Sequence, residues 1–287
     1  MTAPDAPRLA RLREAAESLW PAATAESWDR VGLVSGDDAQ PLARVLLAVD
    51  AVDATVTEAL DWGADALITH HPLLLRGIHS VAEDTAKGAL LARLIRGGCA
   101  LLAAHTNADQ PAGGVSAVIA ERLGLVSPEP IVPHPADPTI GIGRVGLLAA
   151  PESLRAFAER VASVLPPTVS GVRVAGDPER RVRRVALLGG AGDSLLDHPA
   201  VRGADVYLTS DLRHHPAQES LEASAVSDGP ALVDVAHWAS ESLWLEGAAS
   251  RLASLLPGVE FRVSGLRTDP WSFAVGREGG GGAIPLS

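Results

Sequence analysis

The sequence predicts an α/β fold made of two related α/β domains, the product of an internal duplication. Two observations support this prediction: apolar strand-like runs alternate with helical segments, and one order of motifs occurs twice along the 287 residues. Strands that alternate with helices favour parallel sheets covered by helices. We expect a first half at 1–127, a second half at 139–278 and a flexible, glycine-rich tail at 279–287.

The composition is that of an ordinary globular protein, with 47% hydrophobic and 21% charged residues. No uncharged apolar run reaches the roughly 18 residues that a membrane span needs, and the charged first twenty residues predict an amphipathic helix instead of a signal peptide. A single cysteine, Cys99, excludes an internal disulfide and fits a cytoplasmic location. A net charge of −11 disfavours nucleic acid as a partner, although four arginines lie within 179–184.

The first copy of the motif series opens with a strand-like run at 44–49. A Gly-Ala-Asp motif at 63–65 begins nineteen residues after the start of that run. An apolar run that ends at Thr69 then leads directly into His-His-Pro at 70–72. This order predicts a strand, a helix, a second strand and a histidine loop.

The second copy repeats this order with the same spacing. A strand-like run begins at Arg184, and a Gly-Ala-Asp motif at 203–205 begins nineteen residues later. An apolar run ends at Thr209, and His-His-Pro follows at 214–216 after a short insertion. Matching order, spacing and motif chemistry favour duplication over chance similarity between two α/β units.

Each copy continues to a histidine that is followed by an acid four residues later. The apolar run 100–104 ends at His105, with Asp109 beyond it, and the run 231–236 ends at His237, with Glu241 beyond it. Residues four apart lie on one face of a helix, so each pair can grip one cation.

The proline-rich stretch 128–138 separates the two halves and is predicted to be a linker. After it, we expect a strand at 143–149, a helix at 153–164 and a further strand at 172–175.

Ligands in α/β sheets lie beyond the carboxyl ends of the strands, and three such ends carry metal-binding side chains here. The predicted metal ligands are His70, His71, His105, Asp109, His237 and Glu241. Histidine and carboxylate without thiolate suit zinc, iron(II), manganese or cobalt. Six ligands exceed the need of one ion, and a bridging carboxylate could hold two divalent ions about 3.5–4 Å apart.

Other motifs have simpler interpretations. We expect His214 and His215 to form a surface loop or to support the ligands without binding metal. The stretch Gly-Gly-Ala-Gly at 189–192 could cradle a phosphate, but a tight turn from strand to helix fits it better. We expect packing in a core or an interface for Trp28, Trp62 and Trp244, and an inert thiol for Cys99.

Taken together, these motifs resemble the Nif-three-like dinuclear metal-centre family, also called GTP cyclohydrolase 1 type 2 homologues. The matching segments are SWDRVGL at 27–33, ITHHP at 68–72, AHTNAD at 104–109, DLRHH at 211–215 and HWASE at 237–241. The resemblance covers nearly the whole chain. It implies a toroidal homohexamer whose subunits each hold two metals in a site that faces an internal cavity. By motif match the ligands would be His70, His71, Asp109, His237 and Glu241, with His105 beside them.

The chain departs from the family pattern at two positions that are usually glycine. Ser210 and Ala236 stand there, and a side chain at either position could narrow the site. Neither change removes a ligand.

The resemblance implies a metal-dependent hydrolase that acts on GTP or another phosphorylated small molecule, since a bound metal activates water. The alternative is a non-catalytic scaffold or metal chaperone. A nuclease is a weaker alternative, because the acidic charge opposes binding to nucleic acid. No individual residue is predicted to be catalytic.

Overall fold

The computed structural model describes residues 7–275, and the tail predicted at 279–287 lies outside this range. Up to residue 122 the chain forms these helices and strands in order: α1 (Leu9–Leu19), β1 (Gly32–Ser35), β2 (Arg44–Ala48), α2 (Asp53–Trp62), β3 (Ala66–Thr69), α3 (Ala86–Arg96), β4 (Ala100–Ala103), α4 (Thr106–Asp109) and α5 (Val115–Arg122). A 3₁₀ turn, Ala22–Thr24, follows α1. The amphipathic helix and the three parallel strands predicted here are all present.

The rest of the chain is richer in strands. Its elements are β5 (Leu125–Glu129), β6 (Val132–His134), β7 (Asp137–Ile142), β8 (Arg144–Ser153), α6 (Leu154–Val164), β9 (Arg173–Ala175), β10 (Arg181–Ala191), α7 (Pro199–Arg202), β11 (Val206–Ser210), α8 (His214–Ser227), β12 (Ala231–Val235), α9 (His237–Ser242), α10 (Trp244–Leu255) and β13 (Glu260–Val263). A 3₁₀ turn, Asp193–Leu195, follows β10. None of the helices between residues 7 and 275 is both long and apolar enough to cross a membrane.

The chain divides into two compact units. Within the described residues, the first contains 7–115 and 242–268, and the second contains 116–241 and 269–275. The sequence had assigned 242–268 to the second half. In the structure β13 pairs in parallel with β2. The sequence could not predict this pairing, because the hydrophobic pattern of a helix or a short strand does not show which sheet it joins.

A five-stranded sheet forms the first unit, in the order β1-β4-β3-β2-β13. Its strands are parallel except β1, which runs antiparallel to β4. The central strands are buried on both faces, as expected when helices cover a parallel sheet. Leu46, Leu67 and Leu101 form part of this core.

A six-stranded sheet forms the second unit, in the order β5-β8-β10-β11-β12-β9. Strands β10, β11 and β12 are parallel, whereas β8 and β9 run antiparallel to their neighbours. Ser153 caps α6 by accepting a hydrogen bond from Ala156 N. The core contains Val145, Ala186 and Tyr207.

The predicted linker at 128–138 is a β-structure and not an irregular connection. Its start belongs to β5, which pairs with β8, and the remainder enters the β6–β7 hairpin. Prolines are compatible with such strands because they lie at a sheet edge or in a two-stranded hairpin, where missing N–H donors are tolerated.

Candidate metal centre

Two adjacent strand ends bring three histidines together in the first unit. His70 and His71 follow β3, and His105 follows β4. The register Thr69↔Ala103 aligns the ends of these parallel strands. One nitrogen from each ring lies within 4.8 Å of the others, so the three histidines could hold a metal ion.

Asp109 adds a carboxylate to this group. It ends the single-turn helix α4, which begins directly after His105. Its Oδ1 lies 3.7 Å from Nε2 of His70. The first unit therefore offers three imidazoles and one carboxylate.

The second unit presents a histidine and a glutamate on one helix face. Helix α9 starts just beyond β12, and Nε2 of His237 lies 2.9 Å from Oε1 of Glu241. Only 3% of Glu241 is exposed. A buried carboxylate requires a cation or hydrogen-bond donors around it, so this pair is also suited to a metal ion.

The hydrogen bonds at Nδ1 set the tautomer of all four candidate histidines. Nδ1 of His70 lies 2.9 Å from the carbonyl of Ala104. The other three rings face carboxylates: His71 to Asp50 at 2.7 Å, His105 to Asp29 at 2.9 Å and His237 to Asp211 at 2.8 Å. An acceptor at Nδ1 keeps the proton there and leaves the Nε2 lone pair for a metal.

Two other histidines have the opposite arrangement. Nδ1 of His134 accepts from Ala136 N, and Nδ1 of His198 accepts from Ala200 N. A neutral ring held in this way carries its proton on Nε2. These rings are thus not prepared for binding metal through Nε2.

The three supporting aspartates were not singled out from the sequence. Asp50 lies two residues after β2 and Asp211 directly after β11, so a search for acids at strand ends would have found them. Asp29 lies in the loop before β1, and only the tertiary structure brings its carboxylate to His105 and Thr106.

Hydrogen bonds control the electrostatics of these carboxylates. Burial raises the pKa of Asp29, but hydrogen bonds from His105 and Thr106 lower it by more, and its pKa lies well below the usual range. The hydrogen bond from His237 lowers the pKa of Asp211. Asp50 also accepts a hydrogen bond from the hydroxyl of Thr268. Asp29 and Asp211, the hydrogen-bond partners of the His105 and His237 rings, are therefore anionic acceptors at neutral pH.

Gly190 lies inside β10, so the glycine-rich stretch is not the tight turn predicted from the sequence. Its φ is +79°, and a Cβ there would lie 2.6 Å from Oε1 of Glu241 and 3.4 Å from Nε2 of His237. Its N–H donates to the hydroxyl of Ser240 at 2.9 Å. The glycine lets the backbone of β10 approach the His237–Glu241 pair.

Ser210, at a position that is usually glycine in the family, contacts helix α9, which carries His237 and Glu241. Ser210 is buried at the end of β11, and its hydroxyl lies 3.2 Å from that of Ser240 in α9. Ser240 Oγ in turn accepts from the backbone N–H of Gly190. Ser210 therefore belongs to a hydrogen-bonded group next to the His237–Glu241 pair.

His214 and His215 open α8 and are exposed, with their rings 5.0 Å apart. They lie on the surface as expected, but in a helix and not in a loop. Cys99 is buried, and this burial raises the pKa of its thiol to about 12. The thiol is therefore protonated at neutral pH, in agreement with an inert role.

The three tryptophans differ in burial. Trp244 is 1% exposed and packs against the rings of Trp20 and His70. Trp62 is half-buried beneath the guanidinium of Arg262. Trp28 is 55% exposed, so it is not a core residue of its unit.

Comparison with protein families decides where this chain belongs. The family described as Duf34/NIF3 (NGG1p interacting factor 3) matches residues 7–270. The chain belongs to the DUF34/NIF3 family. The resemblance deduced from the histidine motifs is confirmed.

Relatives and solved structures agree with this membership. A Streptomyces coelicolor protein named GTP cyclohydrolase 1 type 2 homolog is 48% identical over 272 residues, covering 93% of this chain and 94% of that protein. A Bacillus cereus protein related to NIF3 matches with a TM-score of 0.86 at 25% identity, covering 94% of this chain and 100% of the other. The mixed α/β fold is thus that of NIF3 proteins.

A mycobacterial relative shows how members of the family differ in length. The Mycobacterium leprae protein, also named GTP cyclohydrolase 1 type 2 homolog, aligns over 379 residues at 36% identity, covering 94% of this chain and 96% of that protein. That alignment is longer than the present 287-residue chain, so the relative carries additional residues that this chain lacks.

Proposed function

We propose that this protein binds two divalent metal ions and is a metal-dependent hydrolase of the GTP cyclohydrolase type. The proposed ligands are His70, His71, His105, Asp109, His237 and Glu241. Zinc, iron, manganese and cobalt all suit this donor set.

One observation carries the proposal: each of the four ligand histidines has a hydrogen-bond acceptor at Nδ1. This arrangement is the usual support of a metal-binding imidazole. With Nδ1 engaged, the Nε2 atoms of His70 and His237 face the carboxylates of Asp109 and Glu241, so nitrogen and oxygen donors stand together as a divalent cation requires.

The proposed ligands supply two kinds of donor atom. The imidazoles offer neutral nitrogen donors, and the carboxylates of Asp109 and Glu241 add negative charge that favours a cation. A bound divalent metal would supply Lewis acidity, which lowers the pKa of water to about 7 in favourable zinc sites. On GTP, one water would add to C8 of the purine and open its imidazole ring to a formamide, and a second water would hydrolyse this formamide to formate and a free amine.

A non-catalytic role is the second candidate. The family description names an interacting factor, which favours a scaffold or metal chaperone that binds a partner protein. The two candidates predict different consequences for His237→Ala. A hydrolase would lose turnover and keep its assembly, whereas a scaffold would keep partner binding.

The metal content per chain tests the proposal directly. We expect about two transition-metal ions per chain when protein purified without chelator or nickel resin is analysed by mass spectrometry. Glu241→Ala should reduce this number. Glu219→Ala is the matched control, because Glu219 is exposed on α8 in the same unit, and it should leave the metal content unchanged. Protein that neither contains metal nor takes it up on dialysis would refute the metal centre.

Assembly is a separate part of the proposal. We infer a toroidal homohexamer from the resemblance to the family, and light scattering should give a mass six times that of the 29.6 kDa chain. A monomer at micromolar concentration would contradict it.

A further inference from the structure

Trp28 is exposed beside a proposed metal ligand, although tryptophan has one of the largest apolar side chains. The residue is 55% exposed, and its indole lies edge-to-face with the ring of His105, with centroids 5.9 Å apart. Leaving so much apolar surface in water forgoes the free energy that its burial would provide.

The loop that carries Trp28 is firmly anchored. The neighbouring Asp29 is buried, and its carboxylate accepts from Nδ1 of His105 and from the backbone N–H of Thr106. On the other side, Glu26 N donates to the hydroxyl of Thr106 at 3.0 Å. The indole is therefore presented by a fixed backbone on both sides, and not by a loosely held loop.

A rigid, exposed aromatic ring at the edge of a polar site is a binding feature, since surface loops on a rigid scaffold carry recognition residues. We propose that Trp28 stacks on a planar heterocyclic ring of the substrate, which makes it the residue that selects nucleobase-bearing phosphates over simple phosphates. This proposal rests on the proposed function, because it assumes that the substrate reaches the histidines beside the indole.

The physical basis is the π-face that every nucleobase presents. Stacking of a base on an aromatic side chain is sequence-tolerant and needs no hydrogen-bond pattern. The imidazole of His105 borders the indole, so a stacked ring would lie next to the proposed metal ligands. A phosphate without a base would gain nothing from Trp28.

The experiment compares two probes, GTP and inorganic tripolyphosphate, on metal-loaded protein by titration calorimetry. Trp28→Ala should weaken GTP binding by about 5- to 150-fold, the equivalent of about 1–3 kcal/mol at about 1.4 kcal/mol per tenfold. Tripolyphosphate binding and the metal content should not change. Trp28→Phe should retain most of the GTP affinity, because it keeps an aromatic face.

A matched control and the opposing outcomes make the test decisive. Trp271 is 64% exposed in the other unit, and Trp271→Ala should leave both affinities unchanged. Unchanged GTP affinity in Trp28→Ala overturns the proposal, and a simultaneous loss of assembly would assign the indole to a contact with a second copy. An equal loss for both probes would also overturn it. Failure of the wild-type protein to bind metal would refute the proposed function instead.

Discussion

At the scale of the residue, the choice of tautomer distinguishes the candidate ligands from other histidines. His71, His105 and His237 each donate from Nδ1 to a carboxylate. His134 and His198 instead accept at Nδ1 from backbone N–H groups. The difference comes from the atoms around each ring, since a neutral imidazole without hydrogen-bond partners has no fixed tautomer.

Asp50 offers the clearest test of this support, because its two oxygens bind His71 and Thr268. We expect Asp50→Ala to lower metal affinity by about 10- to 100-fold, as measured by competition with a chromophoric chelator. Asp50→Asn should lose less, because an amide oxygen still accepts from Nδ1.

The control for this prediction is Asp61→Ala, at an exposed position on α2. Nitrogen-15 spectra of the metal-free protein give a second measurement. The wild type should show the proton of His71 on Nδ1, and Asp50→Ala should show a mixture of tautomers. An unchanged tautomer in Asp50→Ala would contradict the assigned role.

At the scale of the element, the ends of parallel strands gather the site. Strands β2, β3 and β4 end beside one another in the first unit, and Asp50, His70 and His105 follow them. Parallel strands aim their carboxyl ends at a single edge, which is where open α/β sheets bind ligands. Side chains from distant parts of the sequence therefore meet without any long loop.

Strand β10 leaves room for the His237–Glu241 pair because residue 190 is a glycine. Gly190→Ala should lower the metal content, because the new Cβ would fall 2.6 Å from Oε1 of Glu241. Mass spectrometry of the purified variant measures this loss.

Gly171→Ala is the matched control for backbone strain. Gly171 has a φ of +59°, and nothing lies within 4 Å of the position that a Cβ would occupy. Both variants should lose roughly 1–2 kcal/mol of stability from the left-handed backbone. Only Gly190→Ala should lose metal, and equal metal contents would refute the steric role.

Helix α10 packs Trp244 against the ring of His70. This side chain is 1% exposed and lies against the rings of Trp20 and His70 at centroid distances of 5.1 and 5.4 Å. Trp244→Ala should lower the free energy of unfolding by about 3–5 kcal/mol, measured by urea denaturation. Trp271→Ala, at an exposed position, should change it by less than about 0.5 kcal/mol. A loss below about 1 kcal/mol in Trp244→Ala would contradict the packing role.

At the scale of the whole molecule, corresponding hydrogen bonds occur in the two units. Oδ2 of Asp65 accepts from the backbone N–H groups of Ala43 and Arg44, and Oδ2 of Asp205 accepts from those of Arg183 and Arg184. Both aspartates end a Gly-Ala-Asp motif. This agreement supports the proposed duplication, since in each unit the aspartate of the motif accepts hydrogen bonds from the backbone near the start of the preceding parallel strand.

The duplication predicts equal energetic roles for the two aspartates. Asp65→Ala and Asp205→Ala should each cost about 1.5–3 kcal/mol, because each removes a charged acceptor from two backbone donors. Thermal and urea denaturation measure the losses, with the exposed Asp84→Ala as the control. A large loss in one variant and none in the other would count against a shared role.

The sequence by itself determined the α/β class, most of the parallel strands and the strand-end histidines. Hydrophobic runs and the motif at each run's end are local signals, so they can be read without a fold. The family resemblance followed from the same local motifs and was confirmed.

The tertiary structure alone decided which elements share a sheet and which acids support each ring. The segment Ser242–Thr268 joins the first unit, and Asp29 reaches His105 across 76 residues of sequence. Such contacts depend on strand order and register, which hydrophobic patterns do not encode. The need for glycine at 190 is also tertiary, because the side chains of Glu241 and His237 occupy the space where a Cβ would lie.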